Sequence, residues 1–169
     1  MTPVDEMTPI ERATDDPQPA AALRRFKSVA GAFRWAGLSV LAYKEEGTHF
    51  RRITRQRLFG PEHGLLAELR YFEIAPGGYS TLERHEHAHG VVILRGRGRA
   101  LVGRRILAVR PFDWLSVPPM TWHQFRAGAS GRLGFLCLVN ADRDRPQRPD
   151  AAALAELRQS RAARQLIRV

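Results

Sequence analysis

Between about residues 38 and 139 the apolar positions fall into short runs, many alternating with polar ones. The β-rich runs are 39–43, 50–57, 65–74, 81–87, 91–95, 100–102, 114–117, 123–126 and 133–139. Turn-forming residues separate them: Glu46-Gly47, Gly60-Pro61, Pro76-Gly77-Gly78, Gly96 to Gly98, Pro111-Phe112-Asp113, Pro118-Pro119 and Gly128 to Gly131. Many short strands punctuated this regularly predict an all-β sandwich or barrel. The flanks differ. Over residues 20–33, Leu23, Phe26, Val29 and Ala30 stand at helical spacing and predict a short helix leading into the barrel. Residues 150–169 predict a C-terminal helix, with Asp150 as N-cap, Leu154 and Leu157 as apolar positions, and Arg161, Arg164 and Arg168 complementing the C-terminal dipole. Residues 1–19 hold few apolar side chains and are expected to be a disordered tail. That leaves 20–149 as a single barrel domain with a helical lead-in.

Composition narrows the class. A chain of 169 residues has room for one sizeable core. With 44% hydrophobic and 26% charged residues it is ordinary for a globular protein. The longest apolar runs, such as 90–94, are too short to span a bilayer. The first twenty residues are acidic and carry prolines, with no apolar stretch, so no secretory signal is expected. Cys137 is the single cysteine, which excludes an internal disulfide framework and a cysteine-rich zinc site. A reducing, cytoplasmic setting is expected.

Charge adds a constraint on ligands. The net charge is +10, and Lys27 and Lys44 are the only lysines among 27 basic residues. Residues 1–20 are net acidic, so the positive excess belongs to the rest of the chain. A basic body attracts phosphate, carboxylate or nucleic acid. The chain shows no helix-turn-helix, zinc-finger or aromatic RNA-binding pattern, so nucleic acid is not an expected partner.

The chemistry concentrates in two places. One is the run Glu83-Arg84-His85-Glu86-His87-Ala88-His89, the other His123 after Pro118-Pro119-Met120-Thr121-Trp122. On a strand, Glu83 and His85 project from one face. A tight turn at about 86–88 would start a returning strand at His89, bringing Glu83, His85 and His89 within reach of one ion. His123 is a candidate fourth ligand. A His-x-His-x-His run also permits a register in which His87 replaces Glu83. His49 and His63 fall in loops and receive no role. Arg70 lies mid-strand among apolar neighbours, so it faces either solvent or a polar cavity. Cys137 either packs in the core or lines the cavity as a thiol. Trp114 and Trp122, which flank the second place, are expected to pack the barrel.

These residues resemble the cupins. The first cupin motif, G-x5-H-x-H-x3,4-E-x6-G, matches in spacing from Gly77 through Glu83, His85 and His89 to Gly96. Glu83 stands at the usual first histidine and His89 at the usual glutamate, so the carboxylate has moved but the set is still three imidazoles and one carboxylate. The second motif, G-x5-P-x-G-x2-H-x3-N, runs from Phe112 through Pro118, Met120 and His123 to Ala127, with both glycines and the asparagine replaced. The resemblance covers about residues 65–140. It implies a small jelly-roll barrel, usually a homodimer, holding a divalent metal on Glu83, His85, His89 and His123. Mn(II) is the first expectation, with Fe(II), Ni(II) or Zn(II) as alternatives.

Within the cupins, residues 82–89, 118–125 and Cys137 resemble a bacterial group that processes methylthio-sugar phosphates. That resemblance implies removal of the methylthio group from 1-methylthio-xylulose 5-phosphate, with a thiol such as glutathione, to give 1-deoxyxylulose 5-phosphate. It further implies Cys137 as the attacking thiol and arginines, Arg70 among them, on the 5-phosphate. The competing expectations are an Fe(II) dioxygenase or an isomerase on the same site, and a non-catalytic binding module.

Overall fold

The computed structural model describes residues 23–44 and 47–169; the tail expected at 1–19 lies outside them. Eleven strands and two short helices follow in order. Strands β3 (Leu41–Ala42), β4 (Arg51–Phe59), β5 (Ala67–Tyr79), β6 (His89–Arg95), β7 (Gly98–Val102), β8 (Arg105–Val109), β9 (Trp114–Val117), β10 (His123–Ala127) and β11 (Leu133–Asn140) form one curled antiparallel sheet. Its path is β8-β7-β10-β5-β11-β6-β9, with β4 on the other edge of β5 and β3 beyond it. Alternation decides the faces. Phe72, Ile74, Val91, Ile93, Val117, Phe125, Phe135, Cys137 and Val139 turn inward into one core.

The stretch Pro76-Gly77-Gly78 is not a turn between strands but a bend within β5. Gly77 takes φ +72°, which glycine adopts without strain. Beyond the bend, Tyr79 pairs with both Arg51 of β4 and Arg126 of β10, while residues 67–74 pair with β11. One strand thereby joins the two halves of the sheet. Gly96, the other end of the first motif, turns β6 into β7 at φ +75°, and a Cβ there would overlap the carbonyl oxygen of Arg132. Gly96→Ala is expected to destabilise the fold by about 3 kcal/mol, read as a lower urea midpoint at unchanged slope. Phe112 and Met120 occupy the two glycine positions of the second motif, and both retain positive φ, +71° and +55°. The backbone shape survives there without the residue that adopts it freely.

The flanks correct the sequence reading. No helix forms over the described part of 20–33. Instead β1 (Phe26–Val29) and β2 (Ala32–Trp35) make a hairpin, turning through Ala30 and Gly31, both at positive φ. The spacing of Phe26 and Val29 suits a helix, but docking wins. Trp35 meets Tyr71 edge-on at 5.0 Å between ring centroids. The backbone N–H of Phe33 donates to the buried Glu73 carboxylate at 2.9 Å, and Gln56 donates to the Phe33 carbonyl at 3.0 Å. The C-terminal helix is two helices, α1 (Ala151–Leu157) and α2 (Arg161–Leu166). Asp150 caps the first as expected, and Ser160, whose hydroxyl accepts from Ala163 N at 3.1 Å, starts the second. Leu166 and Ile167 pack with Leu82 and Leu101 outside the barrel. β8 was not among the expected strands. Trp122 packs against that outer cluster as anticipated, but Trp114 does not: it is 77% exposed on β9.

Candidate active site

Residues 81–87 do not form the expected strand. Glu83 makes an isolated bridge with His123, each backbone N–H donating to the other's carbonyl at 3.2 and 2.9 Å. That exchange sets the Glu83 and His123 side chains next to each other, which sequence spacing could not reveal. The chain then bends through Glu86 and His87, and β6 begins at His89 as expected. Met120, held at positive φ, donates its N–H to the His85 carbonyl at 2.7 Å. The strained backbone of the second motif thus clamps the first.

Glu83, His85, His89 and His123 are all buried and line one cavity of about 190 Å³. Donor atoms in this cavity fall into two overlapping groups, each within 4.8 Å: Glu83, His85 and His123, and His85, His87 and His89, with His85 common to both. The His89 ring lies 4.4 Å from that of His85 and 5.0 Å from that of His123, between centroids. The nitrogen facing away from the cluster is engaged in each imidazole. His85 Nδ1 meets the His87 carbonyl at 3.1 Å, and His123 Nδ1 the Thr121 carbonyl at 3.0 Å. His89 Nδ1 meets Cys137 Sγ at 3.4 Å, while its Nε2 is buried with no hydrogen-bond partner. Carbonyl partners on Nδ1 fix the tautomer and leave Nε2 with a lone pair, the usual arrangement of metal-ligating histidine. An unpartnered buried Nε2 is otherwise costly. The donor set therefore fits a divalent cation.

Electrostatics agree. Burial, then the neighbouring imidazoles, lowers the pKa of His85 to about 4 and of His89 to about 2; burial also lowers that of His123. These three imidazoles are neutral near pH 7, the state that binds metal. Glu83 accepts from Tyr43 Oη at 3.2 Å and pairs with Lys44 Nζ. Burial and the Glu83 charge push the Tyr43 phenol well above its ordinary pKa, so it stays a donor. His87 stacks on His85 at 3.9 Å and is tied from the rim, Nδ1 to Asp144 Oδ1 at 2.7 Å. Both alternatives for the carboxylate position thus lie at the cluster, with Glu83 beside His123.

Cys137 and Arg70 resolve toward the cavity. Both line it, directly opposite one another on β11 and β5. Arg70 Nη2 donates to Cys137 Sγ at 3.8 Å. Burial raises the thiol pKa, and Arg70 works against that rise. Tyr43, Lys44, Arg55 and Asp144 also reach this cavity, and sequence reading did not single them out. Arg55 shares its face of β4 with Ile53 and a second arginine, Arg57, so no local pattern marks it out; the others come from loops whose course only the fold sets.

Comparison with known proteins places this geometry. Residues 70–139 match the cupin domain. A protein from Rhodospirillum rubrum named 1-methylthio-D-xylulose 5-phosphate methylsulfurylase is 59% identical over 136 residues, 80% of this chain and 86% of that protein. The crystal structure of a cupin-2 domain from Rhodospirillum rubrum shares 57% identity at a TM-score of 0.76, covering 82% of this chain and 93% of that one. A cupin 2 conserved barrel domain protein from Rhodopseudomonas palustris shares 50% identity at a TM-score of 0.79, covering 88% and 100%. The barrel, the donor cluster inside it and these relatives together place the chain in the cupin family.

Proposed function

We propose that this protein is a metal-dependent cupin enzyme that removes the methylthio group from 1-methylthio-xylulose 5-phosphate, using a thiol, to give 1-deoxyxylulose 5-phosphate. One observation carries the reading: the single thiol of a chain 59% identical to a methylsulfurylase sits in the same cavity as the imidazole cluster, 3.4 Å from His89. Glu83, His85, His89 and His123 would hold the cation; the set, without thiolate, suits Mn(II) first and Fe(II) next. When bound there, the cation supplies Lewis-acid charge to the oxygens of a hydroxyketone. Cys137 stays outside that set because its sulfur meets Nδ1 of His89, not the free Nε2.

The chain's own residues account for the sulfur chemistry. With Nε2 of His89 engaged, its Nδ1 carries the hydrogen and donates to Cys137 Sγ, as Arg70 does from the other side. Two donors converging on one sulfur favour the thiolate against burial. The Cys137 thiolate attacks the substrate's sulfur. A Cys137 S–S bond forms, the C1–S bond breaks, and its electron pair passes to C1 and the adjacent C2 oxygen. The proton lost by the thiol balances the one gained at C1, which becomes methyl. A second thiol, glutathione or a like molecule, then attacks the methylthio sulfur. It releases Cys137 and leaves as the mixed disulfide, so one carbon–sulfur bond is reduced and one thiol oxidised per turnover. Such chemistry suits a reducing, cytoplasmic setting.

The test pairs elemental analysis with turnover, wild type beside His123→Ala. About one Mn or Fe per chain in the wild type, absent from the variant together with thiol-dependent release of 1-deoxyxylulose 5-phosphate, is expected. Oxygen uptake by the iron-loaded protein, with no product from the methylthio-sugar phosphate, would replace this reading with a dioxygenase.

A further inference from the structure

Beside the donor cluster lies a second cavity of about 550 Å³, which shares Arg55, Arg70 and Arg143 with the first and is also lined by Arg57, Glu62 and Glu68. Strand register explains the convergence. On β4, Ile53 faces the core, so Arg55 and Arg57 share its face. Arg57 lies opposite Arg70 of β5, and Arg55 opposite Phe72, one pleat along. Arg70 in turn lies opposite Cys137 of β11. Three adjacent strands thus carry Arg55, Arg70 and the thiol onto one inner surface.

The cations on this wall differ in what neutralises them. Arg57 is held by Glu62 at 3.2 Å and Glu68 at 3.4 Å. Arg143 is held by Glu68 at 2.9 Å and by the Asn140 carbonyl at 2.8 Å. Arg55 and Arg70 have no carboxylate partner among the described residues, and each has its Nε buried with no hydrogen-bond partner. Two neighbouring half-buried guanidinium groups without counter-charge repel each other, and a dianion between them relieves both. A guanidinium fork matches two oxygens of a tetrahedral phosphate, and two forks match its charge. A carboxylate would neutralise only one of them.

We infer that Arg55 and Arg70 form a cradle for a phosphate monoester, at the junction of the two cavities, with Arg143 at the rim. This rests on the reading of a phosphorylated pentulose as substrate, and gives its phosphate a seat separate from the metal donors and the thiol. Arg70 then bridges the two functions, touching the sulfur with Nη2 while its remaining donors face the phosphate. Among the described residues Arg55 makes no hydrogen bond or ion pair with the thiol or the imidazoles, so its role is in binding.

The experiment is calorimetric titration of the metal-loaded full chain with inorganic phosphate and, separately, acetate, for wild type, Arg55→Gln and Arg55→Lys. Elemental analysis confirms equal metal content, so a variant that folds poorly is recognised, and Arg55→Lys keeps the test in hand. Phosphate affinity is expected to fall about tenfold in Arg55→Gln, with Arg55→Lys intermediate. Acetate is expected to bind weakly to all three. In turnover, Arg55→Gln should raise KM for the methylthio-sugar phosphate while kcat changes little. Equal phosphate binding by wild type and fully metal-loaded Arg55→Gln would overturn the cradle, as would acetate binding as tightly as phosphate. Arg55-dependent phosphate binding without any methylthio turnover would uphold the cradle and remove the proposed reaction. Turnover with KM unchanged in Arg55→Gln would do the reverse.

Discussion

Cys137→Ser should lower the rate of methylthio transfer by about a thousandfold or more, while leaving metal content and fold as they are. The step proposed for Cys137 makes a sulfur–sulfur bond, and a hydroxyl cannot make one. A serine there also lacks the thiolate that Arg70 and His89 are placed to favour. The metal donors should not notice the change, because the sulfur touches Nδ1 of His89 and not its unpartnered Nε2. The substitution is nearly isosteric in a buried position, which keeps the packing cost small. The measurement is initial rate with glutathione in excess, together with intact mass of the wild type incubated with substrate but no thiol. The wild type should gain the mass of one methylthio group and the serine variant none. A variant that keeps most of the rate would move the attack to the external thiol and reduce Cys137 to a cavity wall.

The convergence of Glu83, His85, His89 and His123 on one cavity is legible because three of the four lie within seven residues and metal chemistry needs few residue types. The strand assigned to 81–87 was wrong. What sets Glu83 beside His123 is a single bridge between segments forty residues apart, and the Met120 contact that supports it relies on a left-handed backbone at a non-glycine residue. Neither leaves a local signal. Arg70 and Cys137 were ambiguous for a different reason. Alternation shows which residues share a face, and only the closing of the sheet shows that the shared face lines the cavity of the imidazole cluster. The barrel strands were legible because each has its own period and punctuation. The hairpin at Phe26–Trp35 was not. Its apolar spacing suits a helix, and the hairpin is chosen instead by Tyr71, Gln56 and Glu73 on the sheet beneath. The outlook for Pro76-Gly77-Gly78 was similar: turn chemistry was present, but pairing on both sides kept the strand going through the bend.

Removing the metal should make stability fall steeply on acidification. His85, His89 and His123 are buried and neutral in the folded protein, with pKa values lowered to about 4 for His85 and about 2 for His89. Above about pH 6.5 these histidines are neutral in both folded and unfolded chains, so they add no pH dependence. Below it the unfolded chain takes up protons that the folded chain refuses, and the balance shifts toward unfolding. Each such histidine costs about 1.4 kcal/mol per pH unit in that window, down to its folded pKa. By pH 5 two or three of them together cost about 4 to 6 kcal/mol, which is comparable with the whole stability of a small domain. A bound divalent cation uses the same lone pairs, so the metal-loaded protein should hold its midpoint to lower pH and then lose metal and fold together. Urea unfolding at pH 7.5, 6 and 5, with chelator and with Mn(II), reads this directly. The chelated protein should lose most of its midpoint across the series, and His89→Gln should flatten the decline by the share of one histidine. A flat midpoint with chelator from pH 7.5 to 5 would mean that the cluster already carries protons in the folded state. The imidazoles would then not be the neutral, preorganised donors that the cavity holds in place.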